Sequence, residues 1–144
     1  MRTFSITGKP FGKQRPKFSR AGGFVKTYTP KETVNYENLV KLEYERQCGS
    51  LPPIPAGKPV AISITAEFQP PASASKKKRE AMLNGDILPM VKPDADNIAK
   101  IICDALNGIA YTDDKQVTRI TVRKIYSDFP KTWITISEDL YKVF

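Results

Sequence analysis

A mixed α/β (α+β) domain, with a roughly four-stranded sheet packed by helices and a basic N-terminal arm or hairpin, is the architecture this sequence predicts. Three observations predict it. Apolar and polar residues alternate in four short stretches, the period of a half-buried strand, while Ile98, Ile101, Ile102 and Ala105 recur at the i, i+3, i+4, i+7 spacing of one helical face. The stretches follow in the order β, basic arm, α, β, α, α, β, β, and helices laid on a sheet bury all their apolar faces. A length of 144 residues without internal repeats suits a single domain with an ordinary core, residues 1–144 together.

Phe4 and Ile6 alternate with Thr3, Ser5 and Thr7 as a first strand. GKPFGKQRPKFSRAGGFVKTYTP then interleaves glycine, proline, aromatics and bases, and Gly22-Gly23 fits the tip of a hairpin between Phe18-Ser19 and Phe24-Val25. Thr29-Pro30-Lys31-Glu32 reads as a capping box with proline at the first helical position. It opens a helix to about Gln47, with Val34, Tyr36, Leu39, Val40, Leu42 and Tyr44 on a broad apolar side. Pro52, Pro53, Pro55 and Pro59 make the next connection too stiff for helix or central strand. Val60, Ile62, Ile64, Ala66 and Phe68 form the clearest strand, and Ser75 to Gly85 reads as a short capped helix. Residues 86–91 then read as a flap. Pro93 disfavours helix at Lys92, Asp94 or Asp96 caps the helix that follows, and Asn107-Gly108 stops it. A strand from near Val117 and another through Ile134 and Ile136 are joined by Ser127 to Lys131 as an expected hairpin flanking strand 60–68, the strand order itself staying open.

Charge narrows the function. The chain carries 23 Lys+Arg against 15 Asp+Glu, a net +8. Arg2, Lys9, Lys13, Arg15, Lys17, Arg20, Lys26 and Lys31 stand in the first 31 residues with no acid among them, which favours a polyanionic partner. Lys13, Gln14, Arg15, Lys17, Arg20 and Lys26 are the expected phosphate contacts. Phe11, Phe18, Phe24 and Tyr28 either stack on exposed bases or anchor the arm to the core. Lys76 and Lys77 open a run of four bases at the positive end of a helix, unfavourable without an anion, and are a second expected phosphate contact. Histidine is absent and Cys48 and Cys103 form no CxxC, which removes the usual zinc sites and Ser-His-Asp or Cys-His catalysis. Cys103, beside the apolar arc, reads as a small core residue. There is no glycine-rich phosphate loop, no run of 18 apolar residues and no signal sequence, so the expectation is a cytoplasmic protein with no membrane partner and no small-molecule cofactor.

Lys92 to Val117 reverses the charge. It holds Asp94, Asp96, Asp104, Asp113 and Asp114 against only Lys92, Lys100 and Lys115. At about 100° per residue, Asp96, Asn97, Lys100 and Asp104 fall on the helix face opposite the isoleucines. Mg²⁺ takes one or two carboxylates plus water and phosphate oxygens, so aspartates at a helix entrance and a strand entrance can converge on it. A DxD or a DD alone is common as a cap or a solvated turn. Together with Lys100 they favour a metal site facing a phosphate.

The run KPDADNIAKIICDALNG followed by AYTDDKQV resembles the signature of the RusA family of Holliday junction resolvases, found in bacteria and their prophages. Lys92, Pro93, Asp94, Asp96, Asn97, Lys100, Asp104 to Gly108, Asp113, Asp114 and Gln116 match its fixed positions, and a weaker similarity reaches the basic arm. The resemblance implies a Mg²⁺-dependent endodeoxyribonuclease (Mn²⁺ as substitute), cytoplasmic and of bacterial or phage origin, that cuts four-way DNA junctions by paired nicks as a homodimer. It implies catalytic roles for Asp94, Asp96, Lys100 and Asp114, metal binding by Asp94, Asp96, Asp113 and Asp114, and an ordering role for Asn97 and Asp104. Two other readings stay open: a junction-binding protein without catalysis, and a nuclease with broader structural specificity.

Overall fold

The strands order themselves by how much apolar surface each must hide. In the computed structural model, which describes residues 1–140 (the backbone alone for residues 21 and 24–28), the chain runs β1 (Arg2–Thr7), β2 (Lys17–Ala21), β3 (Phe24–Tyr28), α1 (Lys31–Cys48), β4 (Val60–Phe68), α2 (Lys76–Leu83), α3 (Ala95–Leu106), a 3-10 turn (Asp114–Gln116), β5 (Val117–Tyr126) and β6 (Lys131–Glu138). One sheet has the order β1-β6-β4-β5, with β4 parallel to β5 and the other pairs antiparallel. Val60, Ile62, Ile64, Ala66 and Phe68 are all buried, so β4 belongs inside the sheet. Arg119, Arg123 and Lys124 suit β5 to its edge, where charge blunts pairing with other chains.

The expected terminal hairpin does not form, because β4 lies between β5 and β6. The short connection still passes tightly over the sheet's end: Ser127 N–H donates to Phe68 O at 2.8 Å, and Gly8 N–H to Pro130 O at 3.0 Å. Pairing β5 directly with β6 would expose one edge of the most apolar strand. Inserting β4 between them buries it on both sides.

Helices α1 and α3 cover one face of the sheet. Ile98, Ile101, Ile102, Ala105 and Leu106 of α3 meet Val40 and Tyr44 of α1 and Phe4, Ile6, Ile62, Ile64, Ile134 and Ile136 of the strands in one core. Each fully buried isoleucine there contributes about 1.5–3 kcal/mol. Phe4 packs edge-on against Tyr44 at 5.4 Å, and Arg2 Nη1 donates to the Tyr44 hydroxyl at 2.7 Å. The Thr29–Glu32 capping box is not formed: Pro30 takes the cap position, with no side-chain cap bond, and its carbonyl accepts from Val34 N–H at 3.2 Å. Thr29 stands one residue too early. No helix among the described residues is long and apolar enough to cross a membrane.

The arm is a two-stranded hairpin whose pairs run from Lys17↔Tyr28 to Ala21↔Phe24, turning on Gly22 and Gly23 at φ 61° and 83°, angles that glycine adopts without a Cβ penalty. Its root is fixed to α3, Lys13 N–H donating to Asn97 O at 2.9 Å. A Cβ on Gly12 would stand 2.7 Å from Pro93 Cβ and 3.1 Å from Asn97 Cβ. Neither contact is the far end of a flexible side chain, so the backbone must move. Gly12→Ala is therefore expected to cost about 1–3 kcal/mol, as overpacked interiors do, read as a lowered thermal midpoint. An unchanged midpoint would show that the root is not held against α3.

Candidate active site

Helix α3 separates two concavities. On one side, Asp96, Ala99, Lys100, Cys103, Asp104, Asp114, Val117 and Ile120 line a groove of about 360 Å³ between α3 and the start of β5. On the other, the arm root and the approach to α3 enclose a cavity of about 710 Å³, lined by residues 9–15 with Lys92, Pro93, Asp94 and Asn97. The helical spacing brings Asp96, Lys100 and Asp104 to one groove, as their common face requires. Asp94 and Asn97 line the neighbouring cavity instead. Asp94 sits at the N-cap of α3 but makes no side-chain cap bond, so its carboxylate is not committed to the helix.

The groove is negatively charged at its β5 side. Partial burial, then the charges of Asp104 and Asp113, push the Asp114 carboxyl above the ordinary aspartate range, with Lys100 and Tyr111 pulling the other way. Asp104 is held by two lysines at one oxygen: Lys13 Nζ is 3.3 Å and Lys100 Nζ 3.7 Å from Oδ2. Burial and the charge of Asp114 push the Cys103 thiol up to about 11, so it forms part of the groove wall as a protonated thiol rather than a nucleophile. The Tyr111 hydroxyl donates to Cys103 O at 2.7 Å and braces that wall from inside.

The Asp113-Asp114 turn is built by a residue that sequence reasoning left without a role. Asp113 Oδ1 accepts from Lys115 N–H at 3.0 Å, while Asp113 N–H donates to Gln116 Oε1 at 2.8 Å, a reciprocal cap. The other end of the buried Gln116 amide donates to Pro55 O at 2.8 Å, Lys58 O at 3.1 Å and Ile54 O at 3.4 Å. The stiff proline-rich connection thus serves as the acceptor frame on which Asp114 is aimed. The sequence signal was present, since Gln116 matches a fixed motif position, but its three acceptors are about 60 residues away in the chain, at separations of 58 to 62. Gln116→Ala strands these carbonyls and the cap; we expect a stability loss of about 1–3 kcal/mol, measured by chemical denaturation, together with reduced cleavage. Wild-type stability in this variant would refute the assignment.

The expected DNA-contact residues fall into two groups. Arg15, Lys17, Arg20, Lys76 and Lys77 are exposed. Lys13 and Gln14 are engaged inside the chain: Lys13 Nζ is 2.5 Å from Glu37 Oε1, and Gln14 Nε2 donates to Glu32 Oε2 at 3.0 Å. Burial disfavours the Lys13 ammonium, but hydrogen bonds and charge from Glu37 and then Asp104 outweigh it and hold its pKa above the ordinary lysine value. The Lys26 side chain, with those of Phe24 and Tyr28, lies outside the described residues. Phe11 stacks on Tyr36 at 5.1 Å, so it anchors the arm root to α1, whereas Phe18 is 71 % exposed. In residues 86–91, the expected flap, Ile87 N–H donates to Ala81 O at 3.1 Å, Pro89 is buried and Lys124 Nζ donates to Val91 O, while the side chains of Leu88 and Met90 are exposed.

The donor set suits a hard divalent cation. Among the described residues, no three acids or thiols are already gathered as a cage. Mg²⁺ does not need one, since it keeps several waters and takes substrate oxygens. Asp96 and Asp114 face one groove, neither has a basic partner within salt-bridge distance among the described residues, and the Asp114 carboxyl is raised first by partial burial and then by the charges of Asp104 and Asp113, a penalty on its ionised form that a cation would relieve.

Residues 7–137 match the family model described as Endodeoxyribonuclease RusA. The chain is also 33 % identical over 137 residues, 94 % of each chain, to the uncharacterized protein YqaN of Bacillus subtilis (strain 168).

Proposed function

The chain belongs to the RusA family of endodeoxyribonucleases, Holliday-junction-resolving nucleases, and from that membership we propose that it resolves four-way DNA junctions by paired symmetric nicks, as a Mg²⁺-dependent homodimer serving recombination and repair. The observation that carries this reading is the single groove shared by Asp96, Lys100, Asp104 and Asp114 in a chain of net charge +8. Asp96 and Asp114 would hold the metal; Asp113, beside Asp114, and Asp94, at the N-cap of α3 and lining the neighbouring cavity, are the further carboxylates that family membership suggests. Mg²⁺, or Mn²⁺ in its place, supplies Lewis-acid stabilisation of the phosphate and a more reactive water.

The chain's own groups account for the rest. The Lys100 side chain, 63 % exposed at the groove, meets the non-bridging oxygens of the scissile phosphate and stabilises the charge that grows there. Asp104 and Asn97 order the cluster. Water adds to phosphorus in line as the bond to O3′ breaks, leaving a 3′-hydroxyl and a 5′-phosphate. Lys9, Arg15 and Lys92 around the adjoining cavity, with the exposed Lys17, Arg20, Lys76 and Lys77, hold the backbone of the arms by phosphate contacts. A junction is approximately two-fold symmetric, so two copies present two grooves to matched phosphates.

The test is cleavage of a four-way junction, linear duplex, flap and RNA, each in Mg²⁺ and in EDTA. Junction cutting confined to Mg²⁺ supports the proposal. Equal cutting of all four substrates points to a broader nuclease, and a junction bound but never cut points to a non-catalytic binder.

A further inference from the structure

Lys13 stands where three elements meet. Its Nζ is 2.5 Å from Glu37 Oε1 on α1 and 3.3 Å from Asp104 Oδ2 on α3, and its backbone N–H is bonded to Asn97 O. Lys100 reaches for the same Asp104 oxygen from 3.7 Å. The two ammonium groups are not equivalent: the Lys13 side chain is 21 % exposed and the Lys100 side chain 63 %. Solvent screens the exposed pair more strongly, so Lys13, although shared with Glu37 at 2.5 Å, is the stronger of the two cationic partners of Asp104. Take Lys13 away and Asp104 keeps one cation, four residues back on its own helix, at the i,i+4 spacing of helical ion pairs in their weaker order, base before acid.

Resting on the nuclease reading above, we propose that Lys13 is a positioning residue: by sharing Asp104 it weakens the Lys100–Asp104 pair along α3 and leaves the Lys100 ammonium readier to move to the scissile phosphate. Its place in the basic arm points to phosphate contact, but its two carboxylate partners point inward. The arm root therefore completes the active site as well as carrying DNA-facing charge.

The experiment compares full-length wild type, Lys13→Met, Lys13→Arg and Lys13→Met/Asp104→Asn. Without metal or DNA, acetylation of Lys100 is followed by peptide mass spectrometry. Pairing with Asp104 should slow it about two- to threefold in Lys13→Met, the size of an i,i+4 ion pair, and the double variant should restore it. In junction cleavage, Lys13→Met should lower the rate at saturating junction by the same roughly two- to threefold, with the half-saturating concentration unchanged, as for an interaction made in the transition state. Lys13→Arg, which keeps the charge, should stay near wild type in rate, while the double variant is read by labelling alone, because Asp104 itself orders the cluster. Unchanged Lys100 labelling in Lys13→Met, or a raised half-saturating concentration at constant maximal rate, overturns the proposal and makes Lys13 a phosphate contact or a bystander. If Lys13→Met does not fold, Lys13→Arg and the double variant decide: a slow Lys100 in either overturns it. A wild-type protein that cuts no junction sinks the nuclease reading alone, because the labelling result needs no activity.

Discussion

Asp96→Asn is expected to lower the rate of junction cleavage by about three orders of magnitude or more, equivalent to about 4 kcal/mol of transition-state stabilisation, while junction binding is kept or tightened. The two halves of this expectation come from one physical fact. Asp96 lies in the first turn of α3 and faces the groove, exposed and outside the core, so neutralising it removes no packing. It does remove a hard oxygen donor for a divalent cation and one negative charge near the path of a polyanion. Single-turnover cleavage in Mg²⁺ measures the first half, and a gel-shift titration with the same junction in EDTA the second. Binding that falls in step with cleavage would make Asp96 a structural or DNA-contact residue, and intact cleavage would remove it from the site.

Much of this site was legible because its key residues are close in sequence on a strongly amphipathic helix. The isoleucines of α3 face the core with Ile98, Ile101 and Ile102 at most 1 % exposed, and once that face is buried the positions of Asp96, Lys100 and Asp104 follow from helical geometry alone. Gly108 at φ 77° ends the segment where a left-handed residue was expected, although Asn107 beside it stays extended. The information lost was of longer range. A four-residue gap between two alternating stretches looks the same whether it closes a hairpin or steps over a third strand, and only the burial of β4 on both sides decides. Likewise, nothing local distinguishes Lys13 from Arg15: one is drawn inward by Glu37 and Asp104, carboxylates on two separate helices, while the other stays exposed. Gln116 was visible as a motif letter, but its function is a set of bonds to a loop that carries no chemistry of its own.

Asp114→Asn should separate catalysis from stability in opposite directions. Its carboxyl is raised above the ordinary aspartate value of 3.8 by partial burial and by Asp104 and Asp113. A raised carboxyl pKa means that the folded chain binds this proton more tightly than the unfolded chain does. Its contribution to stability is therefore complete below the unfolded value and lost as pH rises through the folded one. At neutral pH the ionised Asp114 thus weighs against the metal-free fold. Asp114→Asn is expected to raise the metal-free thermal midpoint at pH 7 and to remove this carboxyl's own loss of stability as pH climbs above 3.8. Mg²⁺ should raise the wild-type midpoint, because a ligand that binds only the folded state stabilises it by mass action, and should do so much less in the variant. Cleavage should fall by about three orders of magnitude, as for Asp96→Asn, since one of the two carboxylates facing the groove without a basic partner is gone. A metal-free midpoint several degrees below wild type would mean that Asp114 supports the turn through bonds rather than opposing it through charge. An undiminished response to Mg²⁺ would place the cation elsewhere.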